Sequence, residues 1–151
     1  MTDAELLRSI YPSLRRFAAV VAAQRVDPDD LVQEALTRVL ARGALSELDE
    51  PVAYLRRTML NIVRNESRRQ GRERDAIVRL VTTDHDDGRV DLSVLDALAP
   101  ASKAAVFLVD VEGFSITEAA ALIGTTNTAA RARLSRARRF LRAQITKEAG
   151  S

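Results

Sequence analysis

Apolar residues recur at helical spacing along most of the chain. In the first segment Leu6, Leu7, Ile10, Leu14, Phe17, Ala18 and Val21 fall on one face, the three-and-four rhythm of an amphipathic helix that buries one stripe. Thr2 and Glu5 stand three apart ahead of it, a capping-box pair. Pro12 interrupts the pattern and predicts a kink or a late start. A second helix is predicted after Asp27-Pro28, with Asp27 as N-cap, Pro28 at the first helical position, and Leu31, Val32, Ala35, Leu36, Val39 and Leu40 facing inward as far as Gly43. A third begins near Pro51, with Val52, Leu55, Met59, Ile62 and Val63 on one side and Arg57, Asn61, Arg64, Asn65 and Arg68 on the other. Ile77, Val78, Leu80 and Val81 could lengthen it.

The polar stretch TTDHDDGRVD breaks the rhythm and reads as a linker. Beyond it the pattern predicts a short helix near 92–98, then one after Pro100 that buries Val106, Phe107 and Val111 and closes at Gly113. Ser115 and Glu118 form a second capping-box pair, opening a short helix that ends at Gly124. Thr126 caps a last helix to about residue 147, with Ala130, Leu134, Ala137, Leu141 and Ile145 inward. No run alternates as a strand would, and aromatic residues make up 4% of the chain. The expected fold is all-α: two small helical domains, 1–81 and 92–151, joined by an acidic linker at 82–91.

Composition narrows the chemistry. The 151 residues hold no cysteine and one histidine, which excludes disulfides, thiolate catalysis and cysteine- or histidine-pair metal sites. With no glycine-rich phosphate loop either, no enzyme, cofactor or metal is expected. No run is long and apolar enough to span a bilayer, and the acidic start MTDAELLRSIYP is unlike a signal peptide, so a soluble cytoplasmic protein is expected. The net charge of +2 hides segregation. Residues 56–74 hold seven arginines and two acids, 131–142 six arginines and no acid, and 84–96 five aspartates and one arginine. Two basic helices flanking an acidic stretch fit polyanion-facing surfaces, although solvated arginine faces would give the same composition.

The two helices at 115–122 and from 126 onward have helix-turn-helix dimensions, with small Ala120 where they approach and Gly124 in the turn. Asn127, Thr128, Arg131 and Ser135 lie opposite the apolar row of the second helix, where they could meet the edges and phosphates of a major groove. The same geometry also occurs in helical domains that bind no DNA.

From about residue 4 to 146 the chain resembles bacterial RNA polymerase sigma factors of the extracytoplasmic-function type. The resemblance rests on Asp29-Asp30-Leu31-Val32-Gln33-Glu34, on Ala53-Tyr54-Leu55 with Asn61, Arg64, Arg68 and Arg69, and on Gly113-Phe114-Ser115 through Glu118-Ala119-Ala120, Gly124 and Arg131–Ala137. It implies a region 2 helical bundle and a region 4 helix-turn-helix, and a promoter-specificity subunit that binds core RNA polymerase and promoter DNA, with an anti-sigma factor as a further candidate partner. It places Leu31, Gln33, Glu34, Thr37 and Arg38 on the polymerase, and the 42–50 segment around a base flipped from the minus-ten element. It places Arg57, Asn61, Arg64, Asn65 and Arg68 on the minus-ten side, and Asn127, Thr128, Arg131, Arg133 and Ser135 on the minus-thirty-five element. The chain departs from the family pattern at Tyr54, where tryptophan is common, at Ala99-Pro100, and at Thr128-Ala129-Ala130. The competing readings are a helix-turn-helix regulator that works without core polymerase, and a sigma-like interaction module.

Overall fold

The computed structural model describes residues 1–22, 26–74 and 97–150. Six α-helices account for most of them: α1 (Asp3–Val21), α2 (Pro28–Leu40), α3 (Pro51–Arg74), α4 (Pro100–Val106), α5 (Ile116–Ile123) and α6 (Asn127–Ala149). The predicted linker at 82–91, the apolar set Ile77–Val81 and most of the predicted 92–98 helix lie outside the described residues.

Local chemistry sets the helix starts. Thr2 Oγ1 accepts from the Glu5 N–H at 3.2 Å while Glu5 Oε2 accepts from the Thr2 N–H at 3.3 Å, so two orphan donors of α1 are met reciprocally. The helix then runs unbroken through Pro12, which is exposed, so the late start does not occur. In α2 the Asp27 side chain accepts from the Asp29 N–H at 2.8 Å, with Pro28 in the first turn. A 3-10 turn at Leu45–Glu47 joins α2 to α3 and is pinned to the start of α1: Asp3 accepts from the Leu45 and Ser46 N–H groups at 3.1 and 3.0 Å. The Ser46 amide, ahead of any other group, holds the Asp3 carboxyl below its ordinary pKa.

One continuous core joins the segments on either side of the predicted linker. Leu14, Phe17, Leu31, Leu45, Leu55, Met59 and Leu60 from the first pack together with Ala104, Phe107, Leu108 and Ile123 from the second. The Phe17 and Phe107 rings meet tilted, with centroids 6.2 Å apart. Three residues expected inside are largely exposed: Leu40 at 45%, Val111 at 70% and Ile145 at 66%. Leu40 and Ile145 lie at helix ends that run past the core. Val111 is displaced by a change of helical register, because Phe107–Val111 forms a π-helical turn in which the Glu112 N–H bonds back five residues to the Phe107 carbonyl at 3.0 Å.

Candidate nucleic-acid interface

Helices α5 and α6 form the predicted helix-turn-helix. Ser115 Oγ accepts from the Glu118 N–H at 3.0 Å and Glu118 Oε1 from the Ser115 N–H at 3.2 Å, while Thr126 Oγ1 accepts from the Ala129 N–H at 3.1 Å. Ala120 is buried at the approach of the two helices. Gly124 has φ +82°, the left-handed conformation that ends α5, and its N–H bonds to the Ala120 carbonyl at 2.9 Å. A Cβ placed there would meet nothing within 4 Å, so only backbone conformation opposes substitution. Gly124→Ala is accordingly expected to cost about 1–2 kcal/mol in denaturant unfolding; a neutral result would show that the turn relaxes at no cost.

The apolar row of α6 turns inward at Ala130, Leu134 and Ala137, as expected. Asn127, Thr128, Arg131 and Ser135 are exposed, and Asn127 Nδ2 donates to Thr117 Oγ1 at 3.0 Å. Arg131 and Ser135 border an open groove of about 390 Å³ that is also lined by Ile116, Leu134, Arg138, Arg139 and Arg142. Arg133 is only half exposed: its Nη1 reaches Ser102 Oγ at 3.5 Å and its Nε is buried without a hydrogen bond. That places it between α6 and the rest of the fold, away from the outer row.

Arg138 ties the helix down. Its Nε donates to Asp110 Oδ2 at 3.0 Å and its Nη2 to Asp110 Oδ1. This hydrogen bonding holds the Asp110 carboxyl below its ordinary pKa, against the opposing effect of burial. A carboxylate depressed in the folded state stabilises it above the unfolded-state pKa of about 3.9, and the stabilisation is lost as pH falls through the lower folded value. Asp110→Asn is therefore expected to remove part of the acid sensitivity of unfolding. Because both partners are well exposed, it should lower neutral-pH stability by less than about 1 kcal/mol. Urea unfolding at neutral and at acid pH checks this; equal differences at both would refute it.

On the other basic helix, α3, the expected face divides. Asn61, Asn65 and Arg68 are exposed. Arg57, although exposed too, and the partly buried Arg64 reach to the end of α5. Arg57 Nε donates to the Leu122 carbonyl at 3.2 Å and its Nη2 to the Ala121 carbonyl at 2.9 Å. Arg64 Nη1 donates to the Ile123 carbonyl at 3.1 Å. Partial burial, with Arg133 and Arg68 nearby, holds the Arg64 guanidinium below its ordinary pKa.

Sequence reasoning missed Arg56. It is 2% exposed, and its two terminal nitrogens donate to Glu112 at 2.6 and 2.7 Å, with a further bond to Ser13 Oγ at 2.8 Å. Its guanidinium lies 5.3 Å from the centroid of the Phe17 ring. The spacing held a signal: Arg56 falls within the apolar row of Val52, Leu55, Met59, Leu60 and Val63, a position where a charge needs a partner.

Among the residues expected to dock on polymerase, Leu31 is a correction. At 1% exposure it anchors α2 in the core and offers no surface. Gln33, Glu34, Thr37 and Arg38 are exposed, with Arg38 paired to Glu34 at 2.9 Å and Thr37 Oγ1 bonded to the Gln33 carbonyl at 2.8 Å. Arg38 also borders an open cleft of about 250 Å³ between α2 and α3, together with Arg42, Tyr54, Arg57, Thr58 and Asn61. An aromatic ring, an amide and three guanidinium groups around one cleft can hold a planar base and its phosphate.

Comparison with known proteins agrees with this layout. Residues 6–73 match the family described as Sigma-70 region 2, and residues 92–141 the one described as Sigma-70, region 4. The chain is similar to the ECF RNA polymerase sigma factor SigE of Mycolicibacterium smegmatis, 30% identical over 160 residues, covering 95% of this chain and 61% of that protein. It therefore spans less than two thirds of that relative's length. It is also similar to the RNA polymerase sigma-E factor of Streptomyces avermitilis, 31% identical over 149 residues, covering 93% of this chain and 83% of that one. Among the solved structures that resemble it are two complexes. One is the sigma factor RpoE in complex with the anti-sigma factor NepR from Bartonella quintana, with 25% identity, a TM-score of 0.71, and 95% and 96% of the two chains covered. The other is CnrH in complex with the cytosolic domain of CnrY, with 26% identity, a TM-score of 0.64, and 96% and 88% covered.

Proposed function

The chain belongs to the extracytoplasmic-function RNA polymerase sigma factors, and from that premise we propose that it directs core RNA polymerase to promoters through a division of labour among its helices. The observation that carries this reading is the outer row of α6. Asn127, Thr128, Arg131 and Ser135 stand exposed beside an arginine-lined groove while the opposite row of the same helix fills the core. These side chains would read the minus-thirty-five element, and the N-terminal end of α6 adds attraction for phosphate.

On the other side of the molecule, α3 would meet the minus-ten element. Arg57, Arg64 and Arg68 would bind phosphate, releasing counterions, with Asn61 and Asn65 beside them. The cleft ringed by Arg42, Tyr54 and Asn61 would receive a base taken out of the stack, which offsets the few kcal/mol needed to unpair it. No covalent step is involved. The exposed face of α2, with Gln33, Glu34, Thr37 and Arg38, would bind core polymerase, and residues 1–81 and 92–151 would act as the two working units. An anti-sigma partner is part of the proposal because one structural neighbour, a sigma factor, was solved in complex with an anti-sigma factor. The proposed place of action is the cytoplasm; no helix among the described residues is long and apolar enough to cross a membrane.

Run-off transcription with purified core polymerase on a genomic promoter library tests the reading. Promoter-specific transcripts that depend on the chain support it, and failure both to bind core enzyme and to start transcription sinks it. The double substitution Gln33→Ala, Glu34→Ala is expected to weaken core association at least several-fold with unchanged circular dichroism, since both residues are exposed. Undiminished core binding would move the polymerase surface elsewhere.

A further inference from the structure

We propose that Asn127 is the adenine-reading residue of α6 and that Thr117, on the neighbouring helix, positions it: the hydrogen bond between them fixes the amide so that one N–H and the carbonyl oxygen are presented together to a base edge. This rests on the assignment of the outer row of α6 to the minus-thirty-five element and adds which base one member of that row selects.

The first turn of α6 leaves few side chains able to read a base. Thr126 Oγ1 is taken by the Ala129 N–H at 3.1 Å, and Ala129 and Ala130 carry no polar side-chain atom. Asn127 and Thr128 remain, both exposed. A hydroxyl both donates and accepts, so Thr128 suits almost any base edge and discriminates little. The Asn127 amide is different. It has two N–H bonds and a carbonyl oxygen, and Nδ2 commits one N–H to Thr117 Oγ1 at 3.0 Å. What is left is one donor beside one acceptor. In the major groove adenine offers the matching pair, an acceptor at N7 and a donor at its N6 amino group, whereas guanine offers two acceptors, cytosine its amino donor, and thymine an acceptor beside a methyl group.

Thr117 can hold this orientation because it is anchored independently of α6. It lies in the first turn of α5, whose start is fixed by the reciprocal Ser115–Glu118 bonds at 3.0 and 3.2 Å. The left-handed Gly124 and the buried Ala120 then set how α6 leaves α5. An exposed asparagine without a tether samples several rotamers, and its amide turns freely about χ2. Ordering it in advance removes part of the entropy that binding would otherwise cost. The tether acts on the orientation of one amide and not on attraction to phosphate, so its effect falls on one base pair and not on affinity for DNA in general.

Holoenzyme selection from a pool built on a promoter of the genomic library, randomised across its minus-thirty-five region, tests this. The wild-type chain is expected to enrich adenine at one position by about 5- to 150-fold over the other bases. Asn127→Ala is expected to abolish that enrichment and leave the remaining positions as they were. Thr117→Val, which keeps the shape and removes the hydroxyl, is expected to weaken it about two- to tenfold. Thr117→Ser is expected to restore it, with unfolding midpoints unchanged throughout because both residues are exposed. Asn127→Asp carries only acceptors and is expected to move the preference at that position to cytosine. A profile that Asn127→Ala leaves unchanged, or guanine at the position it affects, overturns the proposal, while enrichment elsewhere in the region keeps α6 as the reader of the element. A profile that Thr117→Val leaves unchanged, or binding that it weakens equally for every sequence, overturns the positioning role of Thr117. A wild-type holoenzyme that binds the promoter yet enriches no base anywhere in the region discards the assignment of α6 as well.

Discussion

Phe17→Ala is expected to lower the unfolding free energy by about 3–5 kcal/mol, the range for removing a fully buried aromatic ring and leaving a partly relaxed cavity. Phe17 is 0% exposed in α1, faces the Phe107 ring from the other half of the chain, and lies under the Arg56 guanidinium. The substitution therefore removes core volume, an aromatic contact and the apolar face on which a buried charge rests. Against a total stability of about 5–15 kcal/mol for a domain, a loss of that size leaves a marginal protein. For a chain of this length it corresponds to a Tm lower by roughly 6–20 °C. Urea unfolding followed by circular dichroism measures it directly. A loss below about 1 kcal/mol would mean that the two halves do not share the core at this ring.

Arg131→Ala should have the opposite profile, leaving stability unchanged and affecting function. Arg131 is exposed on the outer row of α6. If it reads a base edge, its loss is expected to cost about 1–3 kcal/mol of discrimination, roughly 5- to 150-fold, on promoters that depend on the minus-thirty-five element. The comparison is holoenzyme binding to templates with the native and with a scrambled element. A loss confined to the native element identifies base reading. An equal loss on both, with the salt dependence reduced by about one ion, identifies a phosphate contact instead. A fall in Tm or in core binding would show that the side chain supports the fold.

Much of the fold was legible in the sequence because its determinants are local. The Thr2–Glu5 and Ser115–Glu118 boxes, the Asp27-Pro28 start, the Gly124 turn and the buried rows of α1, α2 and α6 all act within a few residues. Each forms as expected apart from Leu40 and Ile145 in the rows of α2 and α6, which are exposed. The outer row of α6 was legible for the same reason, since it is what remains once the apolar row is assigned. The junction of the two halves was not. Arg57 and Arg64 differ from Asn61 and Arg68 only in meeting backbone carbonyls 59 to 65 residues further along, and side-chain periodicity carries no information about such acceptors. Leu31 was placed on the polymerase surface by resemblance, although its own spacing already put it inward. Val111 misled because a π-helical turn shifts the register on which periodicity depends.

That junction also has a kinetic consequence. Capping boxes and apolar rows can order each half through contacts close in sequence, whereas the Arg56–Glu112 pair and the Arg57 and Arg64 bonds join residues 56 to 65 positions apart. Contacts of that span wait on loop closure, so helices form early and the union of the halves comes last. On the ribosome the first half would emerge and collapse while the helix-turn-helix was still being made. For that interval the α3 arginines would lack the carbonyls and the carboxylate they later bind, and the newborn chain would offer them to any nucleic acid nearby before its own later residues arrive.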